Sequence, residues 1–184
     1  MKKREILPIQ CGPVRIRLLV QNDLPLTLAW RNQDAIRRWF FHSQPISPEQ
    51  HQAWFEKYRE RDDDFVFLIE EVEAGCHPVG QIALYHIDWE AGRAEYGRVM
   101  IGEPDASGKG LAFFATQAIF EIGFETFGLQ EIYLEVYANN ERAIHLYRKA
   151  GFTVTRRDRD VLIMTIHKQA WIESKDEQTF LNED

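Results

Sequence analysis

Residues 102–110 constrain this chain more than any other stretch. Gly102-Glu103-Pro104-Asp105-Ala106-Ser107-Gly108-Lys109-Gly110 sets three glycines and a proline between a β-rich segment and a helix-periodic one. Glycines let a backbone turn tightly and approach a ligand closely. A helix that starts directly after them, at Leu111, leaves its first amides without intrahelical partners. The amides around Gly108, Lys109, Gly110, Leu111 and Ala112 then converge on one place, an anion site suited to phosphate or diphosphate. The competing reading is a flexible turn before a surface helix, with Lys109 pointing to water. No Gly-Lys-Ser/Thr follows four intervening residues, which excludes a Walker A loop. Gly-x-Gly-x-x-Gly is absent and the preceding strand lies mid-chain after a meander, so a dinucleotide-binding fingerprint fits poorly.

The periodicities on either side of this loop sketch the rest. Residues 14–18 alternate as an opening strand. Asn22 or Asp23 can cap a helix that runs to Trp30, with Pro25 early enough to be tolerated. A break near 32–34 leads to the aromatic-dense stretch 36–42. Ser47-Pro48-Glu49-Gln50 is a helix start, with Ser47 and Gln50 as a capping box and Pro48 at the first helical position. Strands at 65–69, 79–87 and 93–101 form a meander. The helix after the loop reaches about residue 127, at a propensity cost of about 1 kcal/mol for Gly123. A strand at 131–137, a helix from Asn139 or Asn140 to Gly151, and a hairpin at 152–156 and 161–167 follow. The order β-α-α-β-β-β-α-β-α-β-β describes a mixed α/β domain.

Size and charge narrow the function. The 184 residues fit one domain. The net charge of −7, from 29 acidic against 22 basic side chains, disfavours general nucleic-acid binding and suits an amine substrate. Cys11 and Cys76 are too few for a disulfide scaffold and lack zinc-site spacing, so reduced thiols and a cytoplasmic location are expected. Lys2, Lys3 and Arg4 precede no long apolar segment, and no stretch reaches 18 apolar residues, so neither a signal peptide nor a membrane span is expected. No carboxylate or His cluster has ligand spacing, so no metal is expected.

Residues 140–152 read Asn-Glu-Arg-Ala-Ile-His-Leu-Tyr-Arg-Lys-Ala-Gly-Phe. Together with Ser107-Gly108-Lys109-Gly110-Leu111-Ala112 they resemble the GNAT superfamily of N-acetyltransferases. That family carries Gln/Arg-x-x-Gly-x-Gly/Ala after its fourth strand, where it cradles the pyrophosphate of acetyl-coenzyme A. Gly110 and Ala112 match, and Ser107 stands in the first position, which removes a long polar side chain. The later Asn-x-x-Ala-x-x-x-Tyr matches Asn140, Ala143 and Tyr147, and Gly151-Phe152 match the helix exit. The resemblance covers nearly all of 14–168. It implies an acetyltransferase domain at 14–168, which leaves an N-terminal lead at 1–13 and an acidic C-terminal tail at 169–184; the polar, acidic residues from Trp171 on read as a weakly ordered tail or a short surface helix. It implies an α/β fold with a mixed, mostly antiparallel central sheet flanked by helices, and with strands 4 (93–101) and 5 (131–137) splayed around the cofactor. A backbone N–H from Val99, Met100 or Ile101 would polarise the acetyl carbonyl. Tyr147 would give a proton to the leaving sulfur. Attack would be direct, in a ternary complex, without an acyl-enzyme on Cys11 or Cys76. Dimers are common among similar families.

A neutral amine attacks, so a base helps. Glu95 is the first candidate; the alternative is a surface ion pair with Arg93 or Arg98. His86 is the second; the alternative is an ordinary strand-end histidine. Alternation puts Glu95, Gly97 and Val99 on one face of the fourth strand and Tyr96, Arg98 and Met100 on the other. For the acceptor, Arg38, Trp39, Phe41, His42, Tyr85 and Tyr96 are the candidates. The aromatics among 38–42 would form either a stacking wall or a core plug. Arg37 or Arg38 could meet a phosphate or carboxylate, and Trp30-Arg31-Asn32, Ile36-Arg37-Arg38-Trp39 and His51-Gln52-Ala53-Trp54-Phe55 resemble a branch that includes acetyltransferases of nucleotide-linked amino sugars, with neighbours acting on ribosomal-protein N-termini and on polyamines. The leading expectation is transfer to a primary amine of a small molecule, first a nucleotide-linked amino sugar. The rivals are a protein N-terminus as acceptor and a non-catalytic acetyl-coenzyme A-binding module.

Overall fold

A computed structural model describes residues 3–181; Met1, Lys2 and the tail residues Asn182, Glu183 and Asp184 lie outside the described residues. Among the described residues one sheet has eight strands. β1 (Ile9–Cys11), β2 (Val14–Leu18), β3 (Asp64–Glu71), β4 (His77–Asp88) and β5 (Arg93–Ile101) pair antiparallel in chain order. β6 (Glu131–Tyr137) joins β5 in parallel, and β8 (Val161–His167) and then β7 (Thr153–Asp158) finish the sheet antiparallel. The expected fourth and fifth strands are therefore β5 and β6.

The helices cover both faces. α1 (Leu24–Arg31), the single turn α2 (Asp34–Arg37) and α3 (Pro48–Tyr58) precede β3. Leu24, Phe55 and Tyr58 pack on Val66, Leu68 and Ala83. On the opposite face, α4 (Leu111–Glu121) and α5 (Glu141–Ala150) pack on Phe67, Ile82, Leu84 and Tyr96. Residues 65–69 of β3 are buried throughout, which is why that run is continuously apolar rather than alternating. Ser47 and Gln50 form the expected capping box: the Gln50 N–H donates to Ser47 Oγ at 3.2 Å, and the Ser47 N–H to Gln50 Oε1 at 2.8 Å.

Several local expectations change. Asp23 does not cap α1: its carboxylate accepts from the Arg17 guanidinium at 2.8 and 2.9 Å and from the Val20 N–H at 2.9 Å. α4 stops at Glu121 and continues as a π-turn, Ile122–Thr126. Gly123 sits in that turn close against β6, where a Cβ would lie 2.7 Å from Ile132 Cδ1. The 1–13 segment supplies β1 and buries Ile6 in the core. The segment after residue 167 forms α6 (Lys168–Leu181), and its Trp171 packs on Phe124 with ring centroids 5.3 Å apart. No helix among the described residues is long and apolar enough to cross a membrane.

The loop after β5 is tied to α1. Trp30 Nε1 donates to Glu103 Oε1 at 2.8 Å, and Gln33 Nε2 donates to the Gly102 carbonyl at 2.9 Å. A Cβ on Gly102 would lie 2.0 Å from Trp30 Cγ. Trp30 is itself buried, so nothing can give without moving α1. Gly102→Ala is expected to destabilise by about 3 kcal/mol. The check is a shift in denaturant midpoint at constant m-value; an unchanged midpoint would mean that α1 is free to slide.

Candidate active site

Two bulges on neighbouring strands build the site. In the β4–β5 ladder Ala83 faces Gly97 and Gln81 faces Met100, so Arg98 and Val99 together oppose Ile82. Arg98 takes a left-handed φ of 52°. One extra residue flips every side chain beyond it. Arg98 therefore joins the Glu95 face, and Val99 packs into the core beside Tyr96, which overturns the simple alternation read from the sequence. The second bulge lies on β4, where Tyr85 faces Glu95 and Asp88 faces Arg93. There His86 has φ 49°. That turn returns its ring to the side that Tyr85 occupies.

The result is a compact cluster on the α1/α3 face. The Tyr85 hydroxyl donates to Glu95 Oε1 at 2.7 Å, and His86 Nδ1 lies 2.8 Å from Glu95 Oε2. A carboxylate accepts, so Nδ1 is the donor in this contact, and in a neutral imidazole that arrangement puts the acceptor lone pair on Nε2. The Glu95 side chain is 15% exposed and that of His86 58%, so the imidazole is the solvent-facing member. Burial, and next the Glu95 charge, hold the Tyr85 hydroxyl well above the usual phenol range, and it stays a donor. Gly97 makes room: a Cβ there would lie 2.9 Å from the Tyr85 hydroxyl. Arg98 stacks over the Tyr85 ring at 4.1 Å and pairs with Asp64 at 2.7 Å. Glu95 thus makes neither alternative ion pair, since Arg93 approaches Glu131 at 3.6 Å.

β5 and β6 pair only at Arg93–Glu131, Ala94–Ile132 and Glu95–Tyr133. From Tyr96 to Ile101 the β6-side edge of β5 has no ladder partner among the described residues. Met100 and Ile101 stay paired to Gln81 and Gly80 on the other edge. Tyr147, from α5, lies on the face opposite Glu95. Its ring meets Tyr96 edge-on at 5.6 Å, and burial pushes its hydroxyl up to about 12. Tyr96 itself is 1% exposed, and its hydroxyl hydrogen-bonds Thr116 Oγ1 at 2.8 Å. It is a core residue and does not meet an acceptor, contrary to the expectation; its alternation phase points it under α4.

The glycine loop is open space. Gly108 and Gly110 have φ of 81° and 76°, and a Cβ on either meets nothing within 4 Å. Gly110 leads directly into α4, so the Leu111 and Ala112 amides begin the helix without intrahelical acceptors. Lys109 does not point to water: its Nζ donates to the Glu71 carboxylate at 2.8 and 3.1 Å. Arg142, which the sequence did not single out, reaches across from α5 and donates to Ser107 Oγ at 3.3 Å. Asn140 Oδ1 accepts from the Ala143 N–H at 3.3 Å and caps α5.

The 38–42 aromatics are not a core plug. Trp39 is 36% and Phe41 54% exposed. Phe41 contacts Tyr137 of β6 edge-on at 4.9 Å, which lays this segment over the end of β6. Arg38 and His42 are exposed beside them. Among the described residues no group of three or more His, Cys, Asp or Glu is placed to hold a metal.

A family model described as an acetyltransferase (GNAT) domain matches residues 14–153. The spermidine N(1)-acetyltransferase of Escherichia coli K12 is 30% identical over 141 residues, covering 77% of this chain and 73% of that protein. Among solved structures, the spermidine N-acetyltransferase of Vibrio cholerae in complex with CoA and spermine superposes with a TM-score of 0.79 at 24% identity, over 88% of this chain and 99% of that one. Apo FdhC, a nucleotide-linked sugar GNAT, superposes with a TM-score of 0.81 at 20% identity, over 94% and 97%.

Proposed function

The chain belongs to the GNAT acetyltransferase family, and from that premise we propose that it transfers acetyl from acetyl-coenzyme A to a primary amine of a small molecule, first a nucleotide-linked amino sugar. The observation that carries the reading is the pair of proton-handling groups on opposite faces of the sheet. His86 and Glu95 lie on the α1/α3 face and Tyr147 on the α4/α5 face, where β5 and β6 cease to pair. An acceptor and a leaving thiolate can then meet through the sheet from opposite sides.

The residues present fit the cofactor. The two left-handed glycines turn the chain into α4 with open space beside them, and the uncapped amides that begin α4 at Leu111 and Ala112 would be available, with those of Gly108, Lys109 and Gly110, to a diphosphate. Arg142 brings a guanidinium to the position where Ser107 lacks a long donor. Asn140, Ala143 and the edge of Val99, Met100 and Ile101 that β6 leaves unpaired would hold the pantetheine arm, and one N–H of that edge would polarise the carbonyl oxygen. Acetyl-coenzyme A supplies the activated acetyl thioester when bound. His86 Nε2 accepts the amine proton, Glu95 holds the ring in the right tautomer, and Tyr85 fixes Glu95. Tyr147, whose phenol is held above its ordinary range by burial, would give its proton to the leaving sulfur.

A calorimetric titration with coenzyme A and acetyl-coenzyme A tests the cradle, and one site per chain is expected. Arg142→Ala is expected to weaken both about ten-fold. Unchanged affinity would remove Arg142 from the cradle, and no binding at millimolar cofactor would sink the acetyltransferase reading. A polyamine acceptor is the second reading, favoured by the spermidine acetyltransferases among the relatives. Steady-state rates with amino sugars, polyamines and N-terminal peptides separate the acceptors.

A further inference from the structure

Arg31, at the C-terminal end of α1, turns inward and is 8% exposed. One nitrogen, Nη2, donates to the His42 carbonyl, and the guanidinium lies 4.0 Å from the centre of the Phe40 ring. The other terminal nitrogen, Nη1, is buried and has no hydrogen-bond partner among the described residues. No carboxylate pairs with it among the described residues. Asp34 is taken by Arg37 at 2.8 Å, and Glu103 accepts from Trp30 at 2.8 Å. The neighbours add positive charge instead: Arg37 Nη1 donates to the Ser43 carbonyl, one residue on, and Arg38 is exposed beside Trp39. Residues 31–42 carry three arginines against the single Asp34, in a chain of net charge −7.

Buried charges are normally paired, and a buried donor without an acceptor is costly. Holding the loop does not require a guanidinium. Asn32 clamps the same loop with a neutral amide, donating to the Ile46 carbonyl at 2.8 Å and accepting the Ile46 N–H at 2.9 Å. The loop over Arg31 displays Trp39 and Phe41 and reaches β6 through Phe41 and Tyr137, so Arg31 underlies the acceptor side.

We propose that Arg31 is the anion-recognition residue of the acceptor site, taking a phosphate or diphosphate ester carried by the amine substrate. This rests on the acetyltransferase reading above. Nη1 is closed off from solvent under residues 38–42, so binding would displace that segment, the phosphate oxygen then replacing the His42 carbonyl as acceptor and supplying a partner for Nη1. Trp39 and Phe41 offer apolar faces to the sugar or base attached to it. The charge of the segment selects against a polyamine, so the acceptor differs from that of the spermidine relatives.

The test uses the full chain saturated with coenzyme A, which keeps the probe out of the cofactor cradle, and titrates uridine diphosphate. Saturable binding is expected, weakened about ten-fold or more in Arg31→Gln and less in Arg31→Lys, which keeps the charge and loses the fork. Coenzyme A affinity is expected to be the same in all three proteins. In turnover, the preference for a diphosphate-linked amino sugar over the same free sugar should fall by a similar factor in Arg31→Gln. No binding by the parent protein, equal binding in all three, or a variant that loses thermal stability with its acceptor preference unchanged would each overturn the proposal. If coenzyme A does not bind, the acetyltransferase reading falls, and the same titration on the free protein still decides Arg31.

Discussion

Tyr147→Phe is expected to lower kcat about 100-fold while acetyl-coenzyme A binds as before. The hydroxyl alone is removed. The ring keeps its edge contacts with Tyr96 at 5.6 Å and Phe152 at 6.0 Å, so the fold should persist. Burial raises this phenol to about 12, so it keeps its proton throughout the working range and releases it only in strong alkali. A basic limb in the pH–rate profile below pH ~10 would then belong to another group. Single-turnover rates compared with binding by calorimetry provide the check. A Phe variant as fast as the parent at every pH would take Tyr147 out of the mechanism.

His86→Gln is expected to cost about 100-fold in kcat/KM at neutral pH and to abolish the acidic limb of the profile. Glu95→Gln should cost less, roughly 10-fold, and keep an acidic limb, because the imidazole survives and only its tautomer and aim are released. The sign follows from the role: a base works unprotonated, so its titration shapes the acid side. If the limb vanishes in Glu95→Gln alone, the carboxylate is the base. If it survives in both variants, proton removal belongs to water or to the amine itself. The amide oxygen introduced by Glu95→Gln can still accept from the Tyr85 hydroxyl, which keeps that variant folded.

The sequence exposed Glu95 and His86 as separate candidates with no reason to meet. Their meeting depends on the positive φ of His86, a bulge that no local residue signals; a glycine there would have been a clue, and a histidine is not. Arg98 is the same case on β5. Arg142 escaped notice because nothing in a helix surface shows what lies across from it. A signal did exist for Arg142, since the short Ser107 called for a long donor from elsewhere. Arg31 looked like one more arginine in a basic stretch, and only burial makes its unpartnered nitrogen visible.

Periodicity and turn chemistry act over a few residues, so the sequence by itself determined the order of the elements between residues 14 and 167, but not β1 or the π-turn after α4. It determined the capping box at Ser47 and Gln50, the strand at 65–69, and the glycine loop feeding α4. Its two motifs also determined the family. Tertiary structure alone decided which side chains share a face. One bulged residue reverses the phase of a strand, and contacts such as Glu95 to Tyr85 or Arg142 to Ser107 join residues 10 and 35 positions apart. Burial, which leaves one nitrogen of an ordinary arginine without a partner among the described residues, is likewise a property of the packed whole.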